Sequence, residues 1–180
     1  MQTSIISKIA NNTWTALALV VTLFFSFTAL GQSPMPTIDG DPSEWTEEDF
    51  YAPMYRAGNP SKAIESSLYL RYDCATEALY TLVLVTEGVV ALELESDAYV
   101  KWKENQSDNQ SFKGVGGEDT SFAWIYDSEG VLLGWEGSFE IAPGTYWINA
   151  HVQVWDDGAA QTSATSNGAS NDRFIELIIA

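Results

Sequence analysis

Cysteine is all but absent from this chain of 180 residues: Cys74 is the only one, so no internal disulfide can form and the fold must be held by its core. Histidine also occurs once, as His151. A closed zinc site of nitrogen and sulfur ligands therefore cannot be assembled within one chain. A Ser-His-acid arrangement would have to use His151, and no G-x-S-x-G turn or other nucleophile signature surrounds any serine, so an enzyme is not expected. Basic residues are scarce, 8 against 25 acidic ones, for a net charge of −17. Nucleic acid and anionic membrane both require a basic footprint to neutralise phosphates, and neither is expected as a partner. Proline (6) and glycine (13) are too few for a collagenous or low-complexity chain, and no segment sustains a 3.6-residue apolar period. The glycine-bearing run Lys113–Gly117 lacks the spacing and strand-to-helix context of a phosphate loop. What is present is an apolar fraction of 46% and an aromatic fraction of 13%, ample for one globular core.

The first residues read as a targeting segment. They carry no acid and one base, Lys8, and lead into the apolar run Thr13–Leu30. Ala29 and Gly31 stand at the −3 and −1 places of a small-residue cleavage site, which predicts a signal peptide over 1–31 and a single domain over 32–180. The alternative is an uncleaved anchor, since the run approaches the length that spans a bilayer. Either way the domain is secreted or held at the cell surface. Removal of the leader takes away one positive charge and leaves a net charge of −18.

The remainder reads as strands. Ser67–Cys74 alternates Leu68, Leu70 and Tyr72 with Tyr69, Arg71 and Asp73, and Leu79–Val85 is apolar on both faces, so these two segments form a hairpin with a central strand. Phe122–Asp127, the turn Ser128–Gly130 and an alternating segment ending at Ile141 form a second. After Pro143-Gly144, the segment from Thr145 to Trp155 alternates an inward row (Tyr146, Ile148, Ala150, Val152, Val154) with an outward row (Trp147, Asn149, His151, Gln153, Trp155). Arg173–Ala180 is a closing strand. The stretches 103–119 and 156–172, polar or built from small residues, are expected as irregular surface loops. The fold class is all-β, an antiparallel β-sandwich of about eight strands, with a partly closed barrel as the alternative.

Near the start stands Thr37–Trp45, TIDGDPSEW, followed by the hairpin strands LYLRYD and LYTLVLV. The positions Ile38, Asp39, Gly40, Glu44 and Trp45, then Tyr72 and Asp73, then Leu79, Tyr80 and Val83, resemble the opening of family 9 carbohydrate-binding modules and related DOMON-like β-sandwiches. Gly134-Trp135-Glu136, Pro143-Gly144 and His151-Val152-Gln153-Val154 more loosely resemble uncharacterised exported surface modules. The first likeness implies a sandwich fold and the second an extracellular location. Neither carries over a ligand residue, because the aligned motifs omit the tryptophan pair that holds sugar in the carbohydrate-binding family.

Sugar binding needs an exposed ring on which the C–H face of a pyranose stacks, with amides or carboxylates nearby for its hydroxyls. Trp147 and Trp155, with Asn149, His151 and Gln153 between them, fit that requirement, and Trp102, between two lysines, is a further candidate for exposure. If a second element covers the outward row, its tryptophans are core residues instead. Trp45 reads as a core plug, Trp124 and Trp135 as sheet packing, and Cys74 as a buried, inert thiol. Acidic turns at Asp39 and Asp41, at Glu118-Asp119, and at Asp156 and Asp157 raise Ca2+ as a structural ion, since calcium wants six to eight oxygens. None has EF-hand spacing, and a solvated acidic surface is the plainer reading. The expectation is an exported, non-catalytic module for extracellular polysaccharide. The alternative is a structural or adhesive module that assembles with surface proteins.

Overall fold

The period-two segments are strands, and every strand pair is antiparallel. The structure, a computed structural model, describes residues 34–56, 63–85, 90–91, 98–156, 160–165 and 174–180. The expected leader and its cleavage junction lie outside them. Among the described residues the strands are β1 (Phe50–Arg56), β2 (Ala63–Asp73), β3 (Ala78–Val85), β4 (Val90–Ala91), β5 (Tyr99–Lys103), β6 (Phe112–Gly116), β7 (Phe122–Tyr126), β8 (Leu132–Glu140), β9 (Gly144–Asp156), β10 (Ala160–Thr165) and β11 (Ile175–Ile179). The order β1-β2-β3-β8-β7 makes a five-stranded layer and β6-β5-β9-β10 a four-stranded one, with β4 and β11 added alongside β9. The layers are joined along one seam by two residue pairs, Tyr55 with Thr165 and Arg56 with Ala164. The fold is an antiparallel β-sandwich, as its alternation implies.

Three segments correct the sequence reading. The stretch 103–119 contains β6, which forms a hairpin with β5, interrupted by one register shift between Val100 and Lys101. Within 156–172, Ala160–Thr165 is a strand paired to β9. Phe50–Arg56 is a strand whose alternation is interrupted by Pro53, in the part of β1 that β10 does not reach. β9 is thirteen residues long and offers backbone donors and acceptors along both edges, so β10 is drawn into its ladder on one side and β5 on the other, and β5 in turn presents its outer edge to β6.

The inner faces build the core. Leu68, Leu79 and Val83 from one layer meet Val100, Ile148, Ala150 and Val152 from the other. Trp135 lies between them, fully buried, and its indole N–H donates to the His151 carbonyl across the layers at 3.1 Å. The expected sheet packing of Trp135 and Trp124 is met, Trp124 packing half-buried against Phe122 at 5.0 Å.

The outer face of the five-stranded layer is not left to solvent. Alternation places Leu82, Ile125, Arg71 and Glu136 there, and the N-terminal segment 34–49 covers them as a strap containing two 3-10 turns, Pro42–Glu44 and Glu47–Asp49. Trp45 plugs the apolar part, 9% exposed. The Glu136 carboxylate, fully buried, accepts from the backbone N–H of Asp39 (2.8 Å) and Gly40 (2.6 Å) and from the Trp45 indole (3.1 Å). Arg71 answers from β2. Its guanidinium donates to both carboxylate oxygens of Asp49 and to the carbonyls of Pro34 and Glu44, and lies 5.5 Å from the centre of the Trp45 ring. Gly40 has φ +89°, and a Cβ there would meet the Trp124 carbonyl oxygen at 2.7 Å, so only glycine lets this turn approach. The Asp-Gly and Glu-Trp residues of the N-terminal motif therefore lock a strap onto a sheet.

Two expectations test this lock. Glu136→Gln leaves the shape but not three matched acceptors, and should lower stability by about 1–3 kcal/mol, read as a lower midpoint in urea. Burial pushes the Asp49 carboxyl up, but the hydrogen bonds from Arg71 and Thr46, with the Arg71 charge, outweigh it and hold its pKa below the ordinary value. A depressed folded pKa adds stability that is full above the unfolded value of about 3.9 and is lost as pH falls through the folded one. Asp49→Asn should therefore be less stable than the parent at pH 7, by about 3 kcal/mol for a broken buried pair, with the gap closing below pH ~4 in acid titrations followed by circular dichroism.

Candidate functional site

The other outer face, that of the four-stranded layer, carries the row singled out in the sequence. The register sets Tyr99 opposite His151, Lys101 opposite Asn149 and Lys103 opposite Trp147, while on the far side of β5 Lys101 is paired directly with Lys113 of β6. Tyr99 and His151 stack with centroids 4.8 Å apart and planes at 12°. Lys101 Nζ lies 4.5 Å from the Tyr99 ring centre, Lys103 Nζ lies 4.2 Å from that of Phe174, and Lys113 Nζ pairs with Asp119 at 3.2 Å. Three of the eight basic residues of an acidic chain thus stand on one small face among aromatic rings.

Trp147 is half-buried, whereas Asn149 is 4% and His151 6% exposed. These two lie on the outer face but beneath its surface, so they are supports and not contact groups as first read. Asn149 Oδ1 has no hydrogen-bond partner among the described residues. Gln153 and Trp155 continue β9, opposite Ser163 and Gln161 of β10, and their side chains lie outside the described residues. Trp102 corrects the reading. Alternation turns it inward, opposite Ile148, where it packs half-buried on Phe112 (4.7 Å) and Tyr146 (5.3 Å), so it belongs to the core and not to a binding surface.

The acidic turns divide in the same way. Asp39 and Asp41 are exposed, but Asp39 Oδ1 accepts from the Asp41 N–H at 3.0 Å and Asp41 Oδ1 from the Ser43 N–H at 2.9 Å. The Ser43 backbone and side-chain hydrogen bonds hold the Asp41 carboxyl below its ordinary pKa. These are turn-capping carboxylates. Asp119 accepts from the Gly116 N–H and pairs with Lys113. Among the described residues no group of three or more His, Cys, Asp or Glu side chains converges as a metal site; the side chain of Asp156, and Asp157 altogether, lie outside those residues. Cys74, read as buried, is exposed in the β2–β3 turn, since the strand ends one residue before it.

Beside the aromatic row, Tyr99, Lys101, Lys113, Gly116, Gly117 and Glu118 line a hollow of about 250 Å³. The sequence signal for its lysines was the alternation Tyr99-Val100-Lys101-Trp102-Lys103, a strand with its bases on one side, obscured by the polar run that follows. No protein-family model matches the chain, and neither a curated protein nor a solved structure matches it significantly. No helix among the described residues is long and apolar enough to cross a membrane. The inward placement of Trp102 predicts that Trp102→Ala lowers stability by about 3–5 kcal/mol, a core truncation, which calorimetry of the purified variant would register.

Proposed function

We propose that the protein is an exported, non-catalytic binding module that holds extracellular carbohydrate on the outer face of β5 and β9. The observation that carries this reading is the half-buried Trp147 on a face otherwise furnished with lysines, opposite the face sealed by the strap. A ring held by its neighbours presents a flat apolar surface at little entropic cost, and the ammonium groups beside it donate to sugar hydroxyls. The buried Asn149 and the stacked Tyr99–His151 pair fix the strand beneath that platform. The leader read at 1–31 supports an extracellular location. Support for a non-catalytic role comes from His151, the one histidine, which is 6% exposed and stacked on a tyrosine.

A second reading, assembly with surface proteins, is favoured by a separate observation. β6 and β7 end their layers, and Phe112 (55% exposed) and Tyr126 (41%) lie on these edge strands. A pull-down of the full chain against insoluble polysaccharides separates the two. Selective retention, reduced about tenfold by Trp147→Ala in a variant whose circular dichroism shows it still folded, is the expected result for a stacking residue. No retention on any polysaccharide, with concentration-dependent sedimentation of the free protein, would replace carbohydrate binding with assembly.

A further inference from the structure

We infer that the hollow beside Tyr99 takes the carboxylate of an acidic sugar, so that the ligand of the proposed carbohydrate face is a uronate-bearing polysaccharide. This rests on the carbohydrate reading and deepens it.

The inference begins from a local conflict. Lys101 and Lys113 are direct cross-strand partners, an arrangement of like charges that destabilises a sheet unless an anion relieves it. Lys113 finds a partial answer in Asp119, the two side chains being 45% and 40% exposed. Lys101 does not. Despite 25 acidic residues in the chain, no carboxylate of the described residues lies within ion-pair distance of it, and its ammonium rests on the Tyr99 ring instead. An ammonium over an aromatic face keeps donors free to turn toward a ligand.

The space around these lysines is shaped as well as charged. A Cβ on Gly116 would fall 2.9 Å from Lys113 Cε, so the absence of a side chain there lets the lysine stem lie across the strand. The N–H groups of Gly116 and Gly117 are engaged, by Asp119 Oδ2 and the Ala98 carbonyl, which leaves the ammonium groups as donors to an incoming anion. Glu118, exposed on the same rim, sets the opposite condition. It accepts from a hydroxyl and repels a second anion, so the site suits a ring that carries one carboxylate among several hydroxyls. A hollow of about 250 Å³ has room for one such ring. The acidic remainder of the molecule does not prevent this, because at physiological salt charges more than about 8 Å apart are largely screened.

The test is retention of the full chain on insoluble pectate and alginate against cellulose and xylan, with free galacturonate and free glucose as competitors. Expected are preferential retention on the acidic polymers, competition by galacturonate alone, release between about 0.05 and 0.5 M salt, and a loss of about tenfold in Lys101→Gln, whose melting temperature is no lower than the parent's. Lys101→Arg should restore retention. Retention on neutral polymers that is indifferent to Lys101→Gln overturns the acidic ligand and leaves the carbohydrate reading standing. No retention on any polymer overturns both. Self-association of the free protein that Lys101→Gln abolishes also overturns the inference, and assigns the lysines to the acidic surface of a second copy.

Discussion

A single buried carboxylate sets the architecture of the N-terminal strap. Glu136 stands on the outer face of a sheet, a place where water would normally solvate it, and the chain instead brings three N–H donors to it from a strap that begins nearly a hundred residues earlier. Burying a charge is tolerable only when its lone pairs are met. Meeting them fixes the turn at Asp39-Gly40, seats Trp45 against Leu82 and Ile125, and brings Asp49 within reach of Arg71. The apolar outer face of β3 is thereby covered without a third layer. The two outer faces thus differ in kind: one is latched by buried paired charges, while the other carries lysines set among aromatic rings, one of them in an exposed ion pair.

Much of the fold was legible because alternation is a local signal. The hairpins around Cys74–Glu77 and Ser128–Gly130 could be read directly, and so could the inward row of β9. What escaped were segments whose strand state depends on a distant partner. Ala160–Thr165 is composed of small residues with no pattern of their own, and it is a strand because β9 offers it a ladder. Phe112–Gly116 is glycine-rich for a packing reason that sequence does not reveal: Gly114 faces the ring of Phe139, whose atoms would lie 2.8 Å from an added Cβ.

The candidate site was legible in direction and not in depth. Alternation places Trp147, Asn149 and His151 on the outward side, and that is where they are, but period two says nothing of what the neighbouring strand lays over them. Tyr99, contributed by β5, does that for His151, and Lys101 stands directly opposite Asn149. Trp102 shows the converse. Two flanking lysines gave it a polar context, and the same alternation that turns them out turns it in. The N-terminal motif illustrates how a resemblance can be a resemblance of construction: its glycine and tryptophan donate to Glu136, and its Glu44 carbonyl accepts from Arg71.

The separation of strap and acceptor along the chain also bears on how the molecule is made. Asp39 emerges from the ribosome 97 residues before the side chain that will hold it. Until β8 exists, the strap has Arg71 and Leu82 to lie on but lacks the carboxylate that fixes Asp39, Gly40 and Trp45. The order of the chain's own residues therefore keeps the latch from closing fully until most of the sandwich is available to receive it.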